Sequence, residues 1–189
     1  MSSSYRNSLD SWLSQLEVKA RTIIDIGGSQ LSVKNRVKSF NAEYYYIADL
    51  PEPHKDSPKP DITMDLNKKY QGDSYLADIV FCLEVFDYVY DPMTAMKNIQ
   101  RLLDHNGVAW VTFPSVYPLH QPIEDDALRY MPGGIQKLAK NSMLEIEEMI
   151  PRRPETNKWQ EFFYAERMRG ARGVDHSFTG WIVKFRNTI

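Results

Sequence analysis

The sequence predicts an α/β fold in which a mainly parallel sheet carries helices on both faces. Three observations lead there. Short apolar runs recur along the chain and alternate with stretches of helical period. A glycine pair follows the first apolar run, at the place where open α/β sheets receive ligands. The 189 residues, 42% hydrophobic and 25% charged, suffice for one domain with a full core but not for two.

Each element has its own signal. Leu9, Trp12, Leu13 and Leu16 fall at i, i+3, i+4 and i+7, which predicts an amphipathic helix, read as an extension over residues 1–20, with Ser8 as its cap. The domain proper then spans residues 21–189. It opens on "RTIIDI", a buried strand, followed by "LSVKNRVKSF", a helix with Leu31, Val33, Val37 and Phe40 on its apolar side. "EYYYIADL" is a second strand, rich in aromatic β-formers. Four prolines make "PEPHKDSPKPD" an irregular loop. "ITM" and "ADIVFCL" are the third and fourth strands. "DPMTAMKNIQRLLDHNG" is the clearest helix, with Asp91 as cap, Pro92 in its first turn and Gly107 after its end. "GVAWVTFP" is the fifth strand, "DDALRYMPGGIQKLAKN" a helix in two pieces, and "MLEIEEMI" and "GWIVKF" late strands separated by a helical "NKWQEFFYAERM". Residues 116–134 lie where a substrate lid would be.

Composition excludes several classes. A net charge of −2 does not point to a polyanion as partner. Charged residues interrupt every long apolar run, so no spanning helix is expected. "MSSSYRNS" lacks the apolar stretch of a secretion signal, and Cys82, the single cysteine, sits in an apolar strand. A cytoplasmic protein without disulfide or thiolate metal site is the expectation, and no metal is expected elsewhere.

The stretch "TIIDIGGSQLS" selects among ligands. Two cofactor classes use a glycine turn after the first strand, dinucleotides and S-adenosylmethionine. The dinucleotide fingerprint G-x-G-x-x-G would place glycine at positions 27, 29 and 32, and only Gly27 is there. Asp25, at the mouth of the loop, would repel a diphosphate yet suits an ammonium, directly or through water. Asp49, ending the second strand, could hold both ribose hydroxyls in either class.

The order of these motifs resembles the class I S-adenosylmethionine-dependent methyltransferases over nearly the whole chain. "IIDIGGSQ" is similar to their first motif, "YYYIADL" to the second and "DITMDL" to the third. "ADIVFCLEVFDYVYDPMTAMKNIQRLLDHNGVAWVTFP" resembles the family's run of strand, "xEvxEHvxDP", helix, "LLkpGG" and strand. "HQPIEDDALRYMPGGIQKLA" is similar to the "HP…DyxRfTpxGl" element of a branch linked to glycan modification. The departures are Ser29 and Leu31 for the second and third glycines, Tyr88 for the histidine of "EHv", and Asn106 for the first glycine of "kpGG".

The resemblance implies a seven-stranded Rossmann-like methyltransferase fold, S-adenosylmethionine as cofactor and methyl transfer to a small hydroxylated acceptor, a sugar or glycan among them. It implies cofactor contacts from Asp25, Gly27, Gly28, Ser29, Asp49, Leu50, Asp65, Leu66 and Leu83. Glu84 and His120 would approach the methyl and acceptor, His120 as the base an alcohol needs. Tyr88, Asp126, Arg129 and Tyr130 would face substrate. Each also has a plainer reading: Asp65 starting a turn, Glu84 as a solvated rim acid, Tyr88 covering the core, Asp125 or Asp126 capping "DALRY", Arg129 pairing with Asp126 at i, i+3. A protein of this fold that binds cofactor or a protein partner without turnover is the alternative. A basic, aromatic "RRPETNKWQEFFYAERMRGARG" keeps nucleic acid as a minor one.

Overall fold

The first apolar run enters the sheet earlier than its sequence suggests. In the computed structural model, which describes residues 4–53, 57–72, 77–116, 119–153 and 178–189, strand β1 runs Glu17–Ile26 and pairs in parallel with β2, Ser39–Asp49. Its second half alternates cleanly: Ile23 faces one side of the sheet, Ile24 and Ile26 the other, and all three are buried. β3 (Ile62–Thr63), β4 (Ala77–Cys82) and β5 (Leu103–Pro114) extend the parallel set, and β6 (Leu144–Arg152) and β7 (Gly180–Asn187) close it. The seven strands lie in the order β3-β2-β1-β4-β5-β7-β6, with β7 antiparallel to both neighbours.

Helices cover both faces. α1, Ser4–Leu13, lies on one: Leu9 and Leu13 are fully buried against Ile23, Phe81, Trp110 and Ile182, worth roughly 4 kcal/mol together. The N-terminal helix thus shares the sheet's own core. On the other face sit α2, Pro92–Leu102, and α3, Pro132–Asn141. Asp91 caps α2 by accepting from Thr94 N–H at 3.1 Å, and Ala95, Met96, Ile99 and Leu102 turn inward. Asn98, also buried, uses its amide to accept from Tyr70 N–H and donate to the Leu66 and Lys68 carbonyls.

Two expected helices are absent. Residues 31–40 form only a 3₁₀ turn, Val33–Asn35, before Phe40 joins β2. β1 and β2 are paired from Glu17↔Ser39 onward, so residues 27–38 alone make the crossover, too few for a ten-residue helix with a turn at each end. "DALRY" is irregular, and α3 begins only at Pro132. The expected helix over 157–168 lies outside the described residues.

The register brings the site together. Ile26 pairs with Ala48 and with Cys82, and Cys82 with Val111, so Gly27, Asp49, Leu83 and Thr112 emerge side by side at the carboxyl edge. Pro114 opposite Gly180 brings the end of β6 and the start of β7 to the same edge.

Candidate active site

The glycine turn is built from beneath. Gly27 has φ 78°, a region that favours glycine, and a Cβ there would lie 2.4 Å from Val85 Cγ2. A Cβ on Gly28 would meet Asp25 Oδ2 at 2.5 Å. Asp25 is therefore under the loop. It is 2% exposed, and its Oδ2 accepts from Val33 N–H at 2.7 Å and from Tyr45 O–H at 2.6 Å. Burial pushes its carboxyl up to about 6, against the pull of those two donors. Asp25, expected at the cofactor, has its Oδ2 engaged by the chain and fastens the crossover to β2.

Asp49 does stand at the mouth. It is half-buried, its Oδ1 accepts from Leu50 N–H at 2.8 Å, and its Oδ2 accepts from Ser29 N–H at 3.3 Å. Ser29 is 6% exposed, and its Oγ has no hydrogen-bond partner among the described residues. A buried hydroxyl left open beside a glycine turn and a ribose-type acid fits a polar ligand there. Leu50 is exposed next to Asp49. Asp65 opens a turn through Asn67 N–H and pairs with Lys68 at 3.0 Å, beside an open depression lined also by Thr63 and Tyr70. The side chains of Leu66 and Leu83 are core: Leu66 packs on the α2 side and Leu83 on the α1 side.

The second half of the site is the segment after β5. His120 N–H donates to Asp126 Oδ2 at 2.8 Å, and Asp126 takes both guanidinium nitrogens of Arg129, at 2.6 and 2.7 Å. Those Arg129 bonds hold the Asp126 carboxyl below the usual carboxylate range. Asp126, expected at the substrate, thus shapes the loop around His120. Tyr88 O–H donates to the Gln121 carbonyl at 2.7 Å and its oxygen also touches His120 Nδ1. Gln121 O, which can only accept, lies 3.0 Å from Nδ1, a pairing that suits the tautomer with its proton on Nδ1. Tyr130 is corrected as well: it is 5% exposed, packs on Phe86 and Phe113, and its N–H ties the segment to Pro114 O.

Glu84 links the halves. It sits at φ 59°, a strained position for a side chain this size, with its N–H donating to Thr112 Oγ1 at 2.7 Å. Thr112 O–H returns a bond to Glu84 Oε1 at 3.2 Å, and Arg152 pairs with the same oxygen at 2.5 Å. The carboxylate expected to approach an acceptor is engaged by a guanidinium, and Arg152, 3% exposed, is not the surface cation a nucleic-acid reading requires. Three residues removed, Asp87 is 6% exposed and was not singled out in the sequence. Its signal was present, since it aligns with the acid of "EHv". Tyr45 and Thr112 carried no sequence signal at all.

Residues 51–111 match the family described as "Methyltransferase domain", a stretch that holds β3, β4, α2 and most of β5. No curated protein sequence matches the chain. Among solved structures it is similar to a chain of the complex between the Trm112 methyltransferase activator and a methyltransferase from Haloferax volcanii, with a TM-score of 0.63 and 14% identity over 98% of this chain and 90% of that one. The N-methyltransferase NodS from Bradyrhizobium japonicum WM9, solved with S-adenosyl-L-homocysteine, gives a TM-score of 0.62 at 13% identity, covering 99% and 89%. An S-adenosylmethionine-dependent methyltransferase from Mesorhizobium loti gives 0.59 at 15%, covering 97% and 95%. No helix among the described residues is long and apolar enough to cross a membrane. Strand order, the reversed β7, the matched central stretch and these likenesses agree: the chain has the class I S-adenosylmethionine-dependent methyltransferase fold.

Proposed function

We propose that this chain is an S-adenosylmethionine-dependent methyltransferase acting on a small acceptor with an O–H group, sugars and glycans included, with His120 as the base. The supporting observation is the His120 cage: Tyr88 and Gln121 fix the ring through Nδ1 while Asp126 fixes its backbone, leaving Nε2 as the basic nitrogen. Gly27, Gly28, Ser29 and Asp49 hold the cofactor, with Leu50, Asp65 and the Leu66 backbone toward its base. Bound there, S-adenosylmethionine supplies a methyl carbon on a sulfonium, whose sulfur leaves with the bonding pair. The chain's own part is alignment and proton removal: as the new O–CH₃ bond forms, His120 Nε2 takes the acceptor's proton.

The absent helix after the glycine turn favours a second reading, a protein of this fold that binds cofactor or a protein partner without turnover. One series separates the two. Calorimetry with S-adenosylhomocysteine is expected to show micromolar binding, roughly 8 kcal/mol, weakened by Asp49→Ala and not reproduced by NAD. An acceptor screen then finds turnover that His120→Gln lowers about a hundredfold or more. Binding without turnover leaves the second reading standing. No binding at all removes the cofactor from both.

A further inference from the structure

Among the described residues, the charged groups around β4's exit do not balance. Three carboxylates, Glu84, Asp87 and Asp126, share the region with two guanidinium groups, Arg129 and Arg152. Arg152 holds Glu84 at 2.5 Å and Arg129 holds Asp126 with two bonds. Asp87 is left over. Its residue is 94% buried, its backbone carbonyl accepts from Ala127 N–H, and among the described residues its carboxylate accepts no hydrogen bond. It lies within electrostatic reach of Glu84, His120, Arg129 and Arg152, and its carbonyl binds the residue next to Asp126, which holds His120. Burial first, then the like charge of Glu84, raise its carboxyl to about 6, against the pull of His120, Arg129 and Arg152, so it is mostly ionised at neutral pH.

An ionised carboxylate this buried is costly unless something donates to it. Ala127 meets Asp87 only at its backbone carbonyl, and water is one filler for the carboxylate. The other is the acceptor. The geometry points to Asp87 as the acceptor-side anchor, receiving a hydroxyl or ammonium hydrogen of an uncharged or cationic acceptor and turning away acceptors whose head is an anion. This rests on the methyltransferase reading of the same site and sharpens it. The anion-binding role that Arg129 could have had is closed, because Asp126 already occupies its fork.

The test uses the full chain with S-adenosylhomocysteine present and three probes on one scaffold: benzyl alcohol, benzylamine and benzoate. Binding is followed by NMR at the Asp87 amide and the His120 ring. Benzylamine and benzyl alcohol are expected to titrate both signals and benzoate neither. Asp87→Asn should weaken benzylamine at least tenfold and benzyl alcohol less. Benzoate binding as tightly as benzylamine overturns the inference, as does an unchanged benzylamine titration in the variant, or no probe reaching the cluster. The probe ranking on the wild-type chain stands whether or not the variant folds. Calorimetry of S-adenosylhomocysteine on the same samples separates the two failures. Lost cofactor binding with the amine still selected fails the function alone, whereas cofactor binding with benzoate preferred fails the anchor alone.

Discussion

Asp25 and Asp87 are both acids buried at the carboxyl edge of the sheet, and burial lifts both carboxyls to about 6. Their surroundings differ. Asp25 receives a backbone N–H and a tyrosine hydroxyl on one oxygen, so its charge is part of the scaffold that holds the crossover. The Asp87 carboxylate accepts no hydrogen bond among the described residues, so the burial around its charge is a cost to the fold. On the proposed reading, the cofactor side of the site is tied down by its own chain, and the acceptor side keeps a carboxylate open to a donor.

The largest test of this contrast is Gly27→Ala. A side chain at φ 78° that also meets Val85 Cγ2 at 2.4 Å should cost about 3 kcal/mol in urea unfolding and abolish S-adenosylhomocysteine binding. Unchanged stability would mean that the turn is looser than its geometry. Next comes Asp87→Asn, with the opposite sign. An unfolded carboxyl loses its proton near 4 and the native one near 6. The native state therefore binds protons more tightly, and its stability falls as pH rises from about 4 to about 6 and is level above. Asparagine removes that fall, so the variant should gain about 2 kcal/mol at pH 7.5 and little at pH 4. A loss at pH 7.5 would show that the carboxylate has a partner after all. The smallest effect is Tyr45→Phe. It removes one donor from Asp25, worth about 1 kcal/mol at pH 7.5 and less at pH 5, where Asp25 is protonated and needs that donor less. Equal cost at both values would detach Tyr45 from the charge.

The strands were legible because a two-residue period survives any context, and α2 because cap, proline and inner face agree. The crossover was not. Val33, Val37 and Phe40 have helical spacing, but pairing from Glu17↔Ser39 claims Phe40 for the sheet, and no local signal reports where a strand begins to pair. Asn106, a departure from the expected glycine, explains itself in the structure. It adopts φ 63°, which asparagine tolerates, so the turn is kept by a different residue. In the site, Tyr88, His120, Asp126 and Arg129, singled out from one motif order, touch in series. Arg129 closes on Asp126, the i, i+3 pairing its spacing offered, whereas Glu84 on Arg152 and Asp25 on Tyr45 are partners chosen by folding across distances the motifs do not span.

Val85 has the side chain that Gly27 must avoid, and it stands between Glu84 and Asp87 in the chain. On the proposed reading, one methyl group is thus a wall shared by the turn that would meet the cofactor and the turn that would meet the acceptor. Two binding events that press on one wall are thermodynamically linked. Whatever factor the first ligand applies to the affinity of the second, the second returns to the first. Shaving that wall with Val85→Ala should uncouple them, leaving each ligand to bind as if the other were not there.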